Sequence, residues 1–595
     1  MNARRARPAA TLAALVGAAA LAGPAAGTPP PGGGAASAEG ARGVFVSAAA
    51  PGFRFPAERM NFGPSETDRC LVCHGMPAFL VRDSLSRAVR DLSVDGAVFR
   101  ASVHGPVPCT GCHAEVRAWP HELPRPRPRV GCDADCHARD REGRPVRHTT
   151  QVADFRRGVH RGGLAGRRES PDCLTCHGAD AHRTRPVKGR LSPAERVALC
   201  APCHDDHVRM AARRVDPGAA ASYRASFHGK AVRFGSMRAA ACDDCHGVHV
   251  VLASRDTAST VSPARLPATC GRRDCHDGAG PSFARSGAAH LDRRVARAPL
   301  LGLTAALLAG LSGAVLVGLG GFVLLDVRRR VAGPDPALAA LPVVLRPVAA
   351  HRAPEPLVAR LTLAQRAQHW ALMASFAALA ATGLPLRYPE HAGLAALYAA
   401  LGGLDTARLI HRAAGALMIA TLAAHAAYAA ALLARARFDV RRAWTMLPGR
   451  GDVRDAWQTV RWQLGRRAAP PAADRHEFRA RLHYLAVLCG LPLMAASGLV
   501  LWFPVALGNR LPDTAIGMAI LAHGDEAVLA VSVVILWHLY HVHVAPGAHH
   551  RFGTWLDGRI TRGAWFAQHR LEAERTEAAA RPGAPRADQP QPSSR

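Results

Sequence analysis

Lysine is almost missing from this 595-residue chain: among 75 basic residues only Lys188 and Lys230 are lysines. The formal charge of +30 is therefore an arginine charge. No basic stretch falls on a recognisable nucleic-acid motif, so a nucleic-acid partner is not expected. Unassigned cysteine is also lacking. Fourteen of the fifteen cysteines lie between Cys70 and Cys275, and the last, Cys489, stands alone in an apolar run. No cysteine follows the N-terminal apolar stretch, so lipid attachment there is not expected. Long apolar runs are missing from residues 58–295, which are polar and rich in Cys and His, and crowd into the part after Pro299.

What is present divides the chain into segments. Arg4, Arg5 and Arg7, the apolar run Thr11 to Ala22 and small residues at Ala25–Gly27 predict a secretory signal over 1–27. Residues 28–57, rich in Gly, Pro and Ala, read as a flexible linker. Five segments are apolar for long enough to span a bilayer, near 298–326, 363–386, 407–434, 481–504 and 519–545. The first is a lone anchor, 327–361 a cytoplasmic connector, and 362–550 a four-helix bundle. Residues 551–595 are a cytoplasmic tail, expected to be largely disordered. Residues 435–481 hold twelve arginines and the loops 387–406 and 505–518 one each, which places residues 58–295 outside the membrane and the C-terminus inside. The expected localisation is the bacterial cytoplasmic membrane, with the N-terminal domain in the periplasm.

The cysteines form seven pairs, each followed at once by histidine. Five pairs have two residues between them: Cys70/Cys73–His74, Cys109/Cys112–His113, Cys173/Cys176–His177, Cys200/Cys203–His204 and Cys242/Cys245–His246. Two are stretched: Cys132/Cys136–His137 with three residues between and Cys270/Cys275–His276 with four. Two thiols bind the two vinyl groups of one haem, and the adjacent histidine takes one face of the iron. Zinc sites or disulfides would not need a histidine after every second cysteine. Using every cysteine of the domain, the series predicts seven covalent c haems.

A low-spin iron needs a second axial ligand. Met60, Met76, Met210 and Met237 are too few and too irregular to supply it, whereas nine further histidines lie in the domain. Of these His104, His160, His182, His228 and His249 are the preferred candidates; His121, His148, His207 and His290 complete the nine. Roughly 34 residues per haem are too few for a separate core around each, so the haems must pack together with sparse regular structure. This region resembles the multihaem cytochromes c with bis-histidine irons, on the motif series and on phrases such as Ser226-Phe-His228-Gly and Cys245-His246-Gly-Val-His249.

The membrane half also carries histidines: His369 on its first span, His411 and His425 on the second, His523 and His538 on the fourth. Intramembrane ionisable groups point to function. His411 and His425 are 14 apart and His523 and His538 are 15 apart. On a helix each pair shares one face and is separated by about 21 Å in depth. This predicts two b haems, one near each leaflet. Depth pairs His411 with His523 on the outer side, and leaves His369 and His425 competing to face His538. His483, at a helix edge beside Tyr484, reads as an interfacial side chain.

The phrases Gln-His369-Trp370, Ile410-His411-Arg412-Ala-Ala-Gly415 and Ser497-Gly-Leu-Val-Leu-Trp502-Phe503-Pro504 resemble the di-haem cytochrome b subunits of membrane formate dehydrogenases and nickel–iron hydrogenases. That resemblance implies His369 with His538; the cytochrome b of quinol–cytochrome c complexes would use His425. The whole is similar to fused multihaem c/cytochrome b proteins that oxidise menaquinol. The expected fold is mostly α: a haem-packed cytochrome c domain, an anchor helix and a four-helix cytochrome b bundle. The expected function is quinol:cytochrome c oxidoreductase, taking electrons from the membrane quinone pool through two b haems and seven c haems to periplasmic multihaem cytochromes or reductases. A terminal reductase and a non-catalytic anchor subunit are the alternatives.

Overall fold

The computed structural model describes residues 65–82, 89–117, 121, 132, 137, 149–163, 170–178, 180–187, 189–332, 355–440, 444–545 and 553–580. The predicted signal and linker lie outside these residues, as do Cys136 and His148. The chain forms two compact units. One contains residues up to Cys132 together with His177–Arg185; the other contains Asp133–Cys176 and Pro186–Arg595.

In the first unit, helix α1 (Glu66–His74) starts at a capping box in which Ser65 and Asp68 bond each other's backbone. An antiparallel pair follows, β1 (Leu80–Arg82) with β2 (Val89–Asp91). A second short helix, α2, spans Cys109–Cys112. Among the described residues of this unit, Phe99 is the buried apolar one. So thin a core is in keeping with a stretch that carries mostly Cys, His and Arg.

The second unit holds further short helices: α3 (Cys173–His177, whose last residue belongs to the first unit), α4 (Pro193–His204), α5 (Phe227–Arg233), α6 (Cys242–His246) and α7 (Leu266–Cys270). It then turns to long ones: α8 (Pro299–Ala332), α9 (Leu363–Arg387), α10 (Ala392–Ala400), α11 (Gly403–Arg435), α12 (Arg450–Gln463), α13 (Phe478–Trp502) and α14 (Ala515–Val533). α14 continues as a wider π-helical stretch over Val534–Val544. Among the described residues, five helices are long and apolar enough to cross a membrane: α8, α9, α11, α13 and α14 with its extension. α9 packs on α11, α13 on α14, and α8 on α14.

Helix α8 runs on past the apolar run to Ala332 and buries Asp326 completely, where Arg330 and Tyr540 bond its carboxylate. One expectation needs correction. The region beyond 551 is not structureless over 553–580. There β4 (Arg559–Thr561) pairs with β3 (Leu357–Ala359) of the expected connector, and α15 (Arg562–Gln568) and α16 (Arg570–Ala580) follow. Ile560, Ala564, Trp565 and Ala573 form a small core. The Glu572 carboxylate accepts from Arg360 at 3.0 Å, Arg475 at 2.6 Å and the Trp565 indole at 3.1 Å. Few apolar residues suffice because these ion pairs fix the segment.

His476 lies beside this cap. Burial, aided by the Arg360, Arg475 and Arg481 charges, pushes its pKa down to about 4. The unfolded chain, with an ordinary histidine pKa of about 6.5, binds that proton first. Stability contributed here is present above about pH 6.5 and is lost as the pH falls toward 4. A thermal-melt series across this window is expected to decline less steeply for His476→Phe than for the parent chain.

Candidate haem sites

Each regular motif sits on about one helical turn, which puts cysteines three apart on one face and the histidine directly beyond. In α2 the turn is closed by His113 N–H donating to the Cys109 carbonyl at 2.9 Å. The last, stretched motif reaches the same closure: His276 N–H donates to the Cys270 carbonyl at 3.1 Å. Its two extra residues are extruded in the turn after α7, so that His276 stands to Cys270 as His113 stands to Cys109. For the other stretched motif, Cys132 and His137 are described and Cys136 is not.

At one regular motif an arginine lies over the thiol: Arg209 Nη1 donates to Cys203 Sγ at 3.0 Å. Arg209 lies on the short helix His207–Ala212 that follows α4 at once, six residues from Cys203, and its side chain folds back over the thiol. The other cysteine of the motif, Cys200, directs Sγ to the Arg196 carbonyl at 3.8 Å. The Arg209 side chain is exposed, so it can swing into solvent and release Cys203 for a thioether bond. A similar but longer contact, from Arg272 Nη2 at 3.6 Å, reaches Cys275 Sγ of the last motif.

Motif helices are clamped in pairs. In the first unit the Glu66 carboxylate of α1 accepts from Thr110 N at 2.8 Å and Thr110 Oγ1 at 2.9 Å, within α2. In the second unit Arg196 of α4 donates to Asp243 at 2.7 Å and Asp244 at 2.8 Å, within α6. These groups are largely buried. Arg196→Ala removes the guanidinium shared by Asp243 and Asp244 and is expected to cost about 3 kcal/mol, read as a lower thermal midpoint.

Five motif histidines face a second histidine among the described residues. The ring centres are 6.1 Å apart for His74 and His121, 6.3 Å for His113 and His182, and 6.5 Å for His204 and His160. They are 6.4 Å apart for His246 and His290 and 6.0 Å for His276 and His228. Two metal–nitrogen bonds of about 2 Å plus about 1.1 Å from each nitrogen to its ring centre give roughly 6.2 Å. The rings are therefore spaced to hold one iron between them. The Nδ1 of His74 lies 2.9 Å from the Leu92 carbonyl and that of His177 2.9 Å from the Arg185 carbonyl. Such a bond fixes the proton on Nδ1 and leaves Nε2 for a metal. Burial pushes the pKa of His160, His204, His228 and His276 below the ordinary value, keeping those rings in the neutral, ligating form.

His121 and His290 were among the nine candidates but not among the five preferred. No phrase near either residue signals the role, because the ring opposite an iron comes from a distant stretch of chain. His104 directs Nδ1 toward the Ala181 carbonyl at 3.4 Å. The His249 carbonyl lies against Gly158.

Two more pairs lie among the membrane helices. His411 of α11 and His523 of α14 have ring centres 6.2 Å apart. Thr382 Oγ1 on α9 donates to the Ala378 carbonyl at 2.7 Å and lies 2.8 Å from His411 Nδ1. Ser497 Oγ on α13 donates to the Leu493 carbonyl at 2.7 Å and lies 3.1 Å from His523 Nδ1. Each hydroxyl has its own proton committed, so it accepts Nδ1–H and leaves Nε2 free toward the opposing ring. Gly383 and Gly498 let the rings come close, since an added Cβ would meet His411 at 3.3 Å and His523 at 3.2 Å. The sequence does carry a signal for this: Ala381-Thr-Gly-Leu-Pro-Leu-Arg-Tyr-Pro389 and Ala496-Ser-Gly-Leu-Val-Leu-Trp-Phe-Pro504 are one phrase twice. Thr382→Val is expected to weaken b-haem retention at this site by about 10- to 100-fold, measured by titration of haem-depleted protein.

At the other depth His369 and His538 have ring centres 6.4 Å apart. His425 does not face His538: its Nδ1 lies 2.8 Å from Gln368 Oε1 and its Nε2 3.0 Å from the Tyr484 hydroxyl. His483, read from sequence as interfacial, stacks on His538 at 4.8 Å, too near to admit a metal between the two. His538 lies in the π-helical stretch, a feature common at functional sites.

The family model described as prokaryotic cytochrome b561 matches residues 360–554. Residues 360–554 form a cytochrome b561 domain. The match is about one third of the chain and takes in four of the five candidate spans, leaving out α8 and everything before it. The cytochrome b561 domain implies b-haem binding and membrane electron transfer. Both membrane histidine pairs fall inside it. No curated protein matches the chain.

Proposed function

We propose that the chain is a membrane quinol:cytochrome c oxidoreductase that draws on menaquinol, with two b haems in the cytochrome b561 domain and seven covalent c haems ahead of it. The observation that carries this is the repeated spacing of opposed imidazoles, five pairs at Cys–Cys–His motifs and two in the membrane domain, each fit for one iron. In this reading His411 with His523 holds the outer b haem and His369 with His538 the inner one. His425, with both ring nitrogens hydrogen-bonded, is a packing and hydrogen-bonding residue. The bound haems supply one-electron chemistry; the chain supplies ligands, tautomer control and exclusion of water.

The Cys-rich domain lies outside the cytoplasmic membrane, the C-terminus inside, and the acceptors are periplasmic cytochromes or reductases. Opposed histidines at five motifs disfavour a terminal reductase, which needs an open iron position. A pyridine haemochrome assay on the purified chain is expected to give c to b haem near seven to two. Absence of b haem, or a c count of four or fewer, sinks the reading. Reduction of the b haems by a menaquinol analogue in the purified single chain separates the oxidoreductase from a mere anchor subunit.

A further inference from the structure

α5, which carries His228, lies directly on the cytochrome b561 domain. Ala231, one turn after His228, is buried with Tyr398, Leu404 and Ala407, and Ala407 lies one turn before His411. The Phe234 ring packs on Tyr398 at 4.6 Å, and the Tyr398 hydroxyl donates to the carbonyl of Thr382, whose side chain holds His411. Arg233 secures the contact through the Pro389 carbonyl at 3.0 Å and Glu390 at 2.7 Å.

The partner ring, His276, makes a second connection. It packs on Phe283 at 4.9 Å, and Phe283 reaches Gly508, which touches Ile516, two turns before His523 on α14. Gly280 N–H donates to Asn509 at 2.7 Å and Ser282 Oγ to the Leu511 carbonyl at 2.6 Å, closing this side. The two rings of one Cys-rich site thus lead separately to the two rings of one membrane site.

We infer that the His228–His276 site is where electrons cross between the membrane domain and the chain of c haems. This rests on the function proposed above. With haem bound at both sites the step would be a single electron: His411 and His523 would hold the donor iron, oxidised by one electron, and His228 and His276 the acceptor iron, reduced by one, with no bond or proton moving. The c haems would then fill from the last motif of the sequence toward the first. The competing site is His246–His290, because Leu291, next to His290, touches Gly517.

The test uses the full-length chain, reduced menadione and stopped-flow absorbance of the b and c bands separately. Ala407→Phe wedges the first connection and Phe283→Ala opens the second; neither residue is a ligand. In each variant b-band reduction is expected to stay within about twofold of the parent, while c-band reduction slows by about tenfold or more. Dithionite should reduce the same number of c haems as in the parent, and ferric low-spin EPR signals should be unchanged, which separates slowed transfer from damaged sites. Unchanged c-band rates in both variants overturn the inference. So does slowing by Leu291→Ala in their place, which moves the crossing to His246–His290. If reduced menadione fails to reduce the b haems of the parent chain, the proposed function falls instead.

Discussion

His369→Ala is expected to remove one of two b haems, whereas His425→Ala retains both. His369 is the ring 6.4 Å from His538, close to the roughly 6.2 Å that an iron between two imidazoles requires. Among the described residues its buried Nδ1 has no hydrogen-bond partner, and the side chain is partly buried among apolar helices. Such a polar group has little reason to stay there unless it binds something. His425 has both ring nitrogens occupied, by Gln368 and Tyr484. Haemochrome quantification of the two variants decides the matter. Equal loss in both, or loss only in His425→Ala, would return the inner site to the two-ligands-on-one-helix arrangement.

Asp326→Ala is expected to be the most destabilising single change in the membrane half. The carboxylate is fully buried, at the end of the uncharged stretch of α8 and just before Arg328–Arg330. It accepts from the Tyr540 hydroxyl at 2.7 Å, from Arg330 Nε at 2.7 Å and from Gln463 Nε2 at 3.4 Å. Removing it takes the carboxylate away from Arg330 Nε and from a buried phenol, at a cost of about 3–5 kcal/mol. That corresponds to a fall of roughly 10 °C in the thermal midpoint. Asp326→Asn keeps the shape and one acceptor oxygen, so a smaller fall is expected. Tyr540 lies two residues after His538, in the same π-helical stretch. The Ala variant should therefore also broaden or shift the inner b-haem absorbance. An unchanged midpoint and spectrum would show that α8 is only a tether.

Much of the site was legible in the chain itself, for a local reason. A c haem is attached by two thiols and a histidine within five to seven residues, so Cys70 to His276 announces its chemistry without any fold. Helical periodicity likewise puts His411 and His425, or His523 and His538, on one face at two depths. The repeated Thr382-Gly383 and Ser497-Gly498 phrases were equally readable and mark the helices that orient His411 and His523.

The opposing ring of each pair was not legible. His121 and His290 meet their partners through packing of distant segments, and nothing in their own neighbourhoods records it. Nor does the motif at Cys203 record that the next helix brings Arg209 back over its thiol. His369 and His425 lie at similar depth, so sequence could order them only by resemblance. The rotation of α9 and α11, with Gln368 and Tyr484 drawing His425 away, decides between them. Average composition concealed the folded segment 553–580, since one tryptophan and a few arginine–carboxylate pairs hold it. The sequence alone carried the expectation of covalent haem, because attachment chemistry is local. Only the tertiary structure decided which histidines face each other and where the two halves touch, because those depend on how helices far apart in the chain turn toward one another.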